Sequence, residues 1–476
     1  MNTLIEKYKN ISRPLKASFW VIVCSVLQKC ISFITTPIFT RILTTEQYGI
    51  CAMYDSWFMV IILFTSLSLY SNSFNNAMIK YESRKDEYIS VATSLMIAIT
   101  LVICGFFFLF REQFSKITGL PQVTMYVMIF QLIFVPSYSL WMAKKRFDFE
   151  YIGPVITTLL ITVTAPLVSV AIINITNYKA EAKIIIFGAV QILCGIIMVI
   201  LNLKKGRKIY DKEMVIYILR FNIPLIPFYL SSIVLAQADR IMIGKMESPS
   251  SSAIYSLAYT LSLIMTIVSN AINQSLIPYI YKKIKKNEYS DIKNIVVIAC
   301  IIVAIINIAL ILLGPELILF FGTSEYILAK WVIPPVAASV FFIFVYQMFS
   351  VILMYYEKTK IMIISSCIVA IINIILNYFG IKFFGYIAAG YTTLISYIIL
   401  YMIYYVKYNS IIKSKLNGFK IYNSLVIFLI SVAVLSFMLA SLLMYEMSPI
   451  IRYIILLVII AIVFYYRKTF LKVLKR

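Results

Sequence analysis

Fourteen stretches of this chain run for about twenty residues with few or no charges: 15–40, 50–69, 89–110, 123–143, 153–173, 184–203, 218–244, 253–281, 292–313, 331–355, 361–379, 385–406, 425–445 and 450–466. A helix of about 20 apolar residues spans the hydrocarbon core of a bilayer. Only helices and closed barrels satisfy every backbone group there, and the short alternating segments of a barrel do not occur. The pattern therefore predicts an all-α integral membrane protein with fourteen transmembrane helices. Residues 1–14 read differently. Leu4, Ile5, Tyr8 and Ile11 share one helical face with Lys7, Lys9 and Arg13 among them, which predicts a short interfacial helix. The first apolar stretch is too long for a cleaved leader, and no A-x-A site follows it.

Composition agrees. Apolar residues make up 62% and charged residues 13%, against about half and a quarter in soluble domains, so a water-soluble fold is excluded. The balance of 43 Lys and Arg over 20 Asp and Glu gives +23, which in a soluble protein would suggest nucleic acid. The connections decide otherwise. With the N-terminus inside and cations near span ends counted with the adjoining connection, 32 of the 43 fall on the cytoplasmic side, 10 fall outside, and Lys29 alone lies deep within a span. That asymmetry follows the positive-inside rule. It predicts cytoplasmic termini in the cell (inner) membrane and removes nucleic acid from the expected partners. The longest external connection, 314–330, is too short for a catalytic domain. There is no histidine, and the seven cysteines are scattered within apolar stretches without a C-x-x-C pair. No metal, cofactor or disulfide role is expected.

Internal similarity suggests a repeat. Thr40-Arg41-Ile42-Leu43 followed by Tyr48-Gly49 resembles Asp239-Arg240-Ile241-Met242 followed by Ala253-Ile254-Tyr255. Arg41 and Arg240 are 199 residues apart, and the sixth and twelfth stretches begin 201 apart. The organisation read from this is an interfacial segment (1–14), a six-helix lobe (15–203), a basic cytoplasmic linker (204–217), a second six-helix lobe (218–406), and two further helices with a basic tail (407–476). Parallel repeats of this kind are typical of transporters.

Polar residues within spans mark the candidate site. Ser25, Gln28, Lys29, Ser32 and Thr36 share one face of the first span. Tyr255, Tyr259, Ser262, Thr266, Asn270 and Asn273 do so on the eighth. Asp55, Ser66, Asn72 and Asn76 belong to the second in looser order, and Ser232, Asp239 and Arg240 to the seventh. Such residues face a bundle interior or water rather than lipid, although isolated ones serve as interhelical hydrogen bonds. Lys29 sits near the middle of its span, where an unpaired ammonium costs roughly 3 kcal/mol or more. It calls for water, a carboxylate such as Asp55 or Asp239, or an anionic ligand, and the anionic ligand is favoured. Arg41 and Arg240 lie nearer the external end and read first as interfacial anchors, with a cavity-mouth role as the alternative. Pro37, Pro136, Pro224, Pro227, Pro278, Pro334 and Pro335 each permit a kink.

The stretches PIFTRILTTEQY (37–48), ADRIMIG (238–244), YSLAYTL (255–261) and FGYIAAGYTTLISY (384–397) resemble the polysaccharide-transporter branch of the multidrug/oligosaccharidyl-lipid/polysaccharide exporter superfamily, the Wzx-type oligosaccharide flippases. The resemblance covers the whole chain. It implies two six-helix lobes around a central cavity lined largely by the first, second, seventh and eighth helices. It also implies a cargo, an undecaprenyl-pyrophosphate-linked oligosaccharide moved from the inner to the outer leaflet for O-antigen, capsule or exopolysaccharide biosynthesis. A polysaccharide polymerase and a chain-length regulator would be partners alongside the lipid bilayer. Under it Lys29 meets the pyrophosphate or an acidic sugar, Arg41 and Arg240 are secondary contacts, and Tyr255 and Tyr259 stack on sugar rings.

Two other functions stay open at this stage. A cation-coupled drug or metabolite antiporter of the same fold would need a membrane-embedded carboxylate, and Asp55, Asp239 and Glu357 all lie toward span ends. A membrane polysaccharide polymerase would want a large external loop with clustered carboxylates or arginines, which the short connections do not provide. The expected protein is a transporter, not an enzyme.

Overall fold

The computed structural model describes residues 12–474. Every regular element in that range is helical. In chain order the long helices are α1 (Arg13–Ile42), α2 (Thr45–Ser66), α3 (Lys85–Leu109), α4 (Gln122–Phe147), α5 (Ile152–Ile173), α6 (Lys179–Gly206) and α7 (Ile226–Met246). They continue with α8 (Pro249–Lys285), α9 (Tyr289–Leu312), α10 (Ile333–Tyr355), α11 (Thr359–Phe384), α12 (Ile387–Lys415), α13 (Ser424–Met444) and α14 (Pro449–Leu474). Thirteen of the described helices are long and apolar enough to cross a membrane, and α14 contributes a shorter apolar run, Pro449–Ala461. The protein is an all-α membrane protein. Of the predicted interfacial segment, residues 1–11 lie outside the described residues.

Local chemistry sets the element ends. Thr44 and Gln47 form a reciprocal capping box at the start of α2, with Gln47 N–H donating to Thr44 Oγ1 at 3.2 Å and Thr44 N–H to Gln47 Oε1 at 3.1 Å. Ser248 caps α8 through the Ser251 N–H at 3.1 Å, with Pro249 in the first turn. Pro224 and Pro227 break the seventh predicted span into a helix at Lys212–Asn222, a 3₁₀ turn at Ile223–Leu225, and α7. Pro334 and Pro335 open α10 rather than kink it, because a 3₁₀ segment, Ser324–Trp331, occupies the residues before it. Short helices at Asn72–Lys80, Arg111–Thr118 and Gly314–Phe321 fill connections that hydropathy leaves blank.

The chain divides into two compact units, one ending at Ile233 and the other beginning at Val234. The first unit reaches past the 204–217 linker into the seventh span. Met214 and Ile218 are fully buried in a cluster with Tyr88, Ile89 and Phe74, and buried Ser73 donates to Asn222 Oδ1 at 2.6 Å. Within this unit α4 packs on α6, and α1 rests mainly on α5. The α4–α6 contact is backbone-close: a Cβ on Gly195 would stand 2.7 Å from the Phe134 carbonyl, so a small residue is what lets these helices meet. In the second unit α10 is enclosed by α8, α9, α12 and α13, and its Phe341, Phe344, Val345 and Phe349 are fully buried.

One local feature recurs in both units. Two-residue joints separate α1 from α2 and α7 from α8, each ending in a capping hydroxyl, Thr44 or Ser248. Those caps are 204 residues apart, five more than the Arg41–Arg240 spacing read from the sequence. Counting back from the caps, Lys245 stands as far from Ser248 as Arg41 does from Thr44.

Candidate functional site

On α1 the predicted stripe straddles the packing contact with α5. Gln28 Nε2 lies 3.5 Å from Thr162 Oγ1 of α5, and Thr36 is buried with its hydroxyl donating to the Ser32 carbonyl at 2.8 Å. Ser25, Lys29 and Ser32 are exposed, the Ser25 hydroxyl turning back to the Val21 carbonyl at 2.8 Å. No carboxylate of the described residues lies within ion-pair distance of Lys29. Within the first unit, the ion pair with Asp55 that the sequence left open does not form. Asp55 is exposed on α2. Arg41 is exposed near the end of α1 and donates to the Pro37 carbonyl at 3.0 Å.

The second unit holds a polar network that the sequence did not reveal. Asp239 is 1% exposed. Asn377 Nδ2 donates to its Oδ1 at 2.6 Å, Thr393 Oγ1 to its Oδ2 at 2.8 Å, and the Tyr255 hydroxyl also donates to Oδ2. Asn377 Nδ2 also donates to Asn373 Oδ1 at 3.2 Å, while its own Oδ1 accepts from Thr392. Asn373 Nδ2 reaches Thr393 Oγ1 at 3.3 Å and Ser396 Oγ at 3.2 Å. Four helices, α7, α8, α11 and α12, thus converge on one carboxylate, as a buried charge requires. Asp239 is buried among these helices although it lies only seven residues from Met246, the C-terminal end of α7.

Tyr255 is 0% exposed, with its hydroxyl committed to Asp239, so it offers no ring face for a sugar in this structure. Tyr259 is half-buried, and the Arg240 guanidinium lies 4.4 Å from its ring centroid, a cation–π contact. Arg240 also donates to Gln237 Oε1 at 2.5 Å. Asn273 is buried and donates to Gln347 of α10, whereas Asn270 is exposed. Of the eighth-span stripe, Tyr255 and Asn273 make interhelical hydrogen bonds within the unit, while Ser262 donates to the Ala258 carbonyl of its own helix. Asn373, Asn377, Thr393 and Ser396 were not singled out from the sequence. The spacing of Asn373 and Asn377, one turn apart on an apolar helix, was the available signal.

The first unit contains two adjoining cavities. One, of about 910 Å³, is lined by Tyr70, Ser71, Asn75, Arg146, Phe149 and Tyr229 among others. The other, of about 330 Å³, is lined by Ser25, Gln28, Tyr70, Tyr138, Arg146 and Thr158 among others. Tyr70 and Arg146 belong to both walls. Around this end of the unit runs a belt of ion pairs: Arg84 with Glu87 and Asp211, each at 2.8 Å, Lys208 with Asp211 at 2.7 Å, Lys85 with Asp148 at 3.8 Å, and Lys144 with Asp86. Hydrogen bonds from Lys208, from the Met214 N–H and from Arg84 hold the Asp211 carboxyl far below its ordinary range. Among the described residues no three His, Cys, Asp or Glu side chains cluster as metal ligands would.

Comparison with known proteins adds the family context. A family described as "Polysaccharide biosynthesis protein" matches residues 15–284, and the MatE family matches residues 224–379. An "Uncharacterized membrane protein" of Haemophilus influenzae is 21% identical over 365 residues, 73% of this chain and 85% of the relative. "Lsg locus putative protein 1" of the same organism is 23% identical over 287 residues, 58% of this chain and 68% of the relative. Among solved structures, the lipid II flippase MurJ in its inward closed conformation has a TM-score of 0.71 at 15% identity, covering 94% of this chain and 98% of that one. An inward-facing multidrug resistance MATE family transporter of the MOP superfamily has a TM-score of 0.56 at 11% identity, covering 82% and 96%. At these identities the structural likeness establishes the transporter fold.

Proposed function

This chain belongs to the polysaccharide biosynthesis protein family, and we propose that it is a flippase for lipid-linked oligosaccharides. Its cargo is an undecaprenyl-pyrophosphate-linked repeat unit of a surface polysaccharide (O-antigen, capsule or exopolysaccharide), carried from the cytoplasmic to the external leaflet by alternating access. No covalent bond is made or broken. The observation that carries the reading is Lys29, an exposed cation in mid-helix with no carboxylate of the described residues in ion-pair reach. An ammonium at that depth is stabilised by an anion that arrives with the cargo. A pyrophosphate, in turn, crosses a low-dielectric region only against fixed positive charge.

The test is replacement at Lys29. Lys29→Ala should abolish surface polysaccharide at a normal protein level, and Lys29→Arg should retain part of it. Unchanged polymer in the alanine variant would overturn the proposal.

A second reading, cation-coupled exchange in the same fold, draws support from Asp239, a carboxylate 1% exposed and ringed by neutral side chains. Proton or cation occupancy there would couple to cargo movement, and the Asp239 variants discussed below separate this role from a structural one.

A further inference from the structure

The run Lys144-Lys145-Arg146 ends α4, and its three cations have different fates. Lys144 pairs with Asp86 and Lys145 with Glu150. Arg146 is exposed and has no carboxylate of the described residues within ion-pair distance. It is also the member of the run that lines both cavities of the first unit, and neither lining contains an acidic side chain. A guanidinium left unpaired in a carboxylate-free cavity is a binding group for an anion, and its planar fork matches phosphate oxygens two at a time.

The rest of the wall narrows the ligand. Tyr70, Phe149 and Tyr229 supply aromatic faces beside Ser71 and Asn75, the mixture of ring faces and hydrogen-bonding groups that suits sugar rings. Phe149 is held in the left-handed region with φ 56° and is 49% exposed. A bulky side chain rarely adopts that backbone, yet here it sets an aromatic ring at the cavity wall. The smaller cavity extends along α1 to Ser25 and Gln28. Lys29 lies one helical turn beyond Ser25, about 6 Å along the axis.

From this geometry we infer that the Arg146 cavity is a loading site for the phosphate-bearing headgroup of a lipid-linked sugar, which Arg146 grips before the phosphate passes along α1 to Lys29. The inference rests on the flippase reading above and assigns Arg146 as a binding residue that the sequence did not suggest. A phosphate ester could come from the cargo or from bulk phospholipid, and the inference commits to the cargo.

The experiment uses the full chain in phosphatidylcholine nanodiscs, with binding of undecaprenyl pyrophosphate measured by native mass spectrometry. Arg146→Ala should weaken binding about tenfold or more, the effect of losing a charge-assisted contact. Arg146→Lys should weaken it less, and Lys205→Ala, which removes an exposed cation outside both cavities, should leave it unchanged. Equal binding by wild type and the Arg146→Ala variant would overturn the loading site while leaving the flippase reading intact, as would equal displacement by phosphatidylglycerol. Failure of the wild-type protein to bind undecaprenyl pyrophosphate at all would overturn the flippase reading itself. Each variant is compared with wild type by size-exclusion profile. If Arg146→Ala does not fold, Arg146→Lys carries the test, and wild-type affinity in that variant at half the donor geometry would count against the site.

Discussion

Asn377 donates a hydrogen bond of 2.6 Å to Asp239 across 138 residues of chain. The contact ties α11 to α7, and the Thr393 hydroxyl at 2.8 Å brings in α12. Tyr255 adds α8. A carboxylate enclosed by apolar helices is tolerated because its oxygens are saturated by donors.

Asp239→Ala should therefore leave Tyr255, Asn377 and Thr393 without their acceptor. The expected cost is about 2–4 kcal/mol, given that each unsatisfied buried donor costs on the order of 1 kcal/mol or more, read as a lower melting temperature of the detergent-solubilised protein. Asp239→Asn keeps the shape and should melt closer to wild type. If the asparagine variant melts normally but loses transport, Asp239 acts in coupling; if melting and transport fall together, its role is structural.

Arg452 of α14 is 5% exposed and pairs in a two-pronged manner with Glu316, Nη1 to Oε2 at 3.0 Å and Nη2 to Oε1 at 2.8 Å, while Nη1 also donates to the Leu312 carbonyl at 3.1 Å. Arg452→Ala should destabilise by about 2 kcal/mol, below the roughly 3–5 kcal/mol of a fully buried pair because Glu316 keeps contact with solvent. Glu316→Ala should cost a similar amount. The double variant should be no worse than either single one, which a double-mutant cycle on melting temperature would check.

Asp211 gives a pH dependence with a definite sign. Its folded-state carboxyl is held below the ordinary range by Lys208, the Met214 N–H and Arg84. A depressed acid contributes stability above its unfolded pKa, about 3.9, and that contribution is lost as pH falls from there through the lower folded value. Melting temperature should thus show no Asp211-dependent change between neutral pH and the unfolded pKa, then decline in stronger acid. Asp211→Asn should flatten that acid limb, and an identical limb in both proteins would count against the assignment.

Orientation is open to direct test. In a background without the seven native cysteines, Lys205→Cys should resist an impermeant thiol reagent in intact cells, and Asn177→Cys, in the exposed connection between α5 and α6, should be labelled. The reverse pattern would invert the topology read from the cations.

How much of this was legible in the chain depends on whether the deciding interaction is local. Span number and approximate ends follow from hydropathy, because a bilayer demands that each helix satisfy its own backbone groups. The breaks at Pro224 and Pro227 and the caps at Thr44 and Ser248 are likewise local chemistry. The repeat read from the chain rests on motif spacing alone. The Arg41–Arg240 spacing and the spacing of the two capped joints differ by five residues, and short motifs in apolar helices resemble one another at several offsets.

The sequence by itself determined that this is a fourteen-helix membrane protein whose one mid-span lysine needs an explanation outside topology. Tertiary structure decided which charges are spoken for. Asp239 reads in the chain as one acidic residue toward a span end, and only folding brings Asn377 and Thr393 to it from helices more than a hundred residues away. Arg146 was one of three adjacent cations until Asp86 and Glu150 took the other two. Whether a polar group is free to meet a ligand depends on the partners that folding places around it, and pairing across that distance leaves no periodicity along the chain to read.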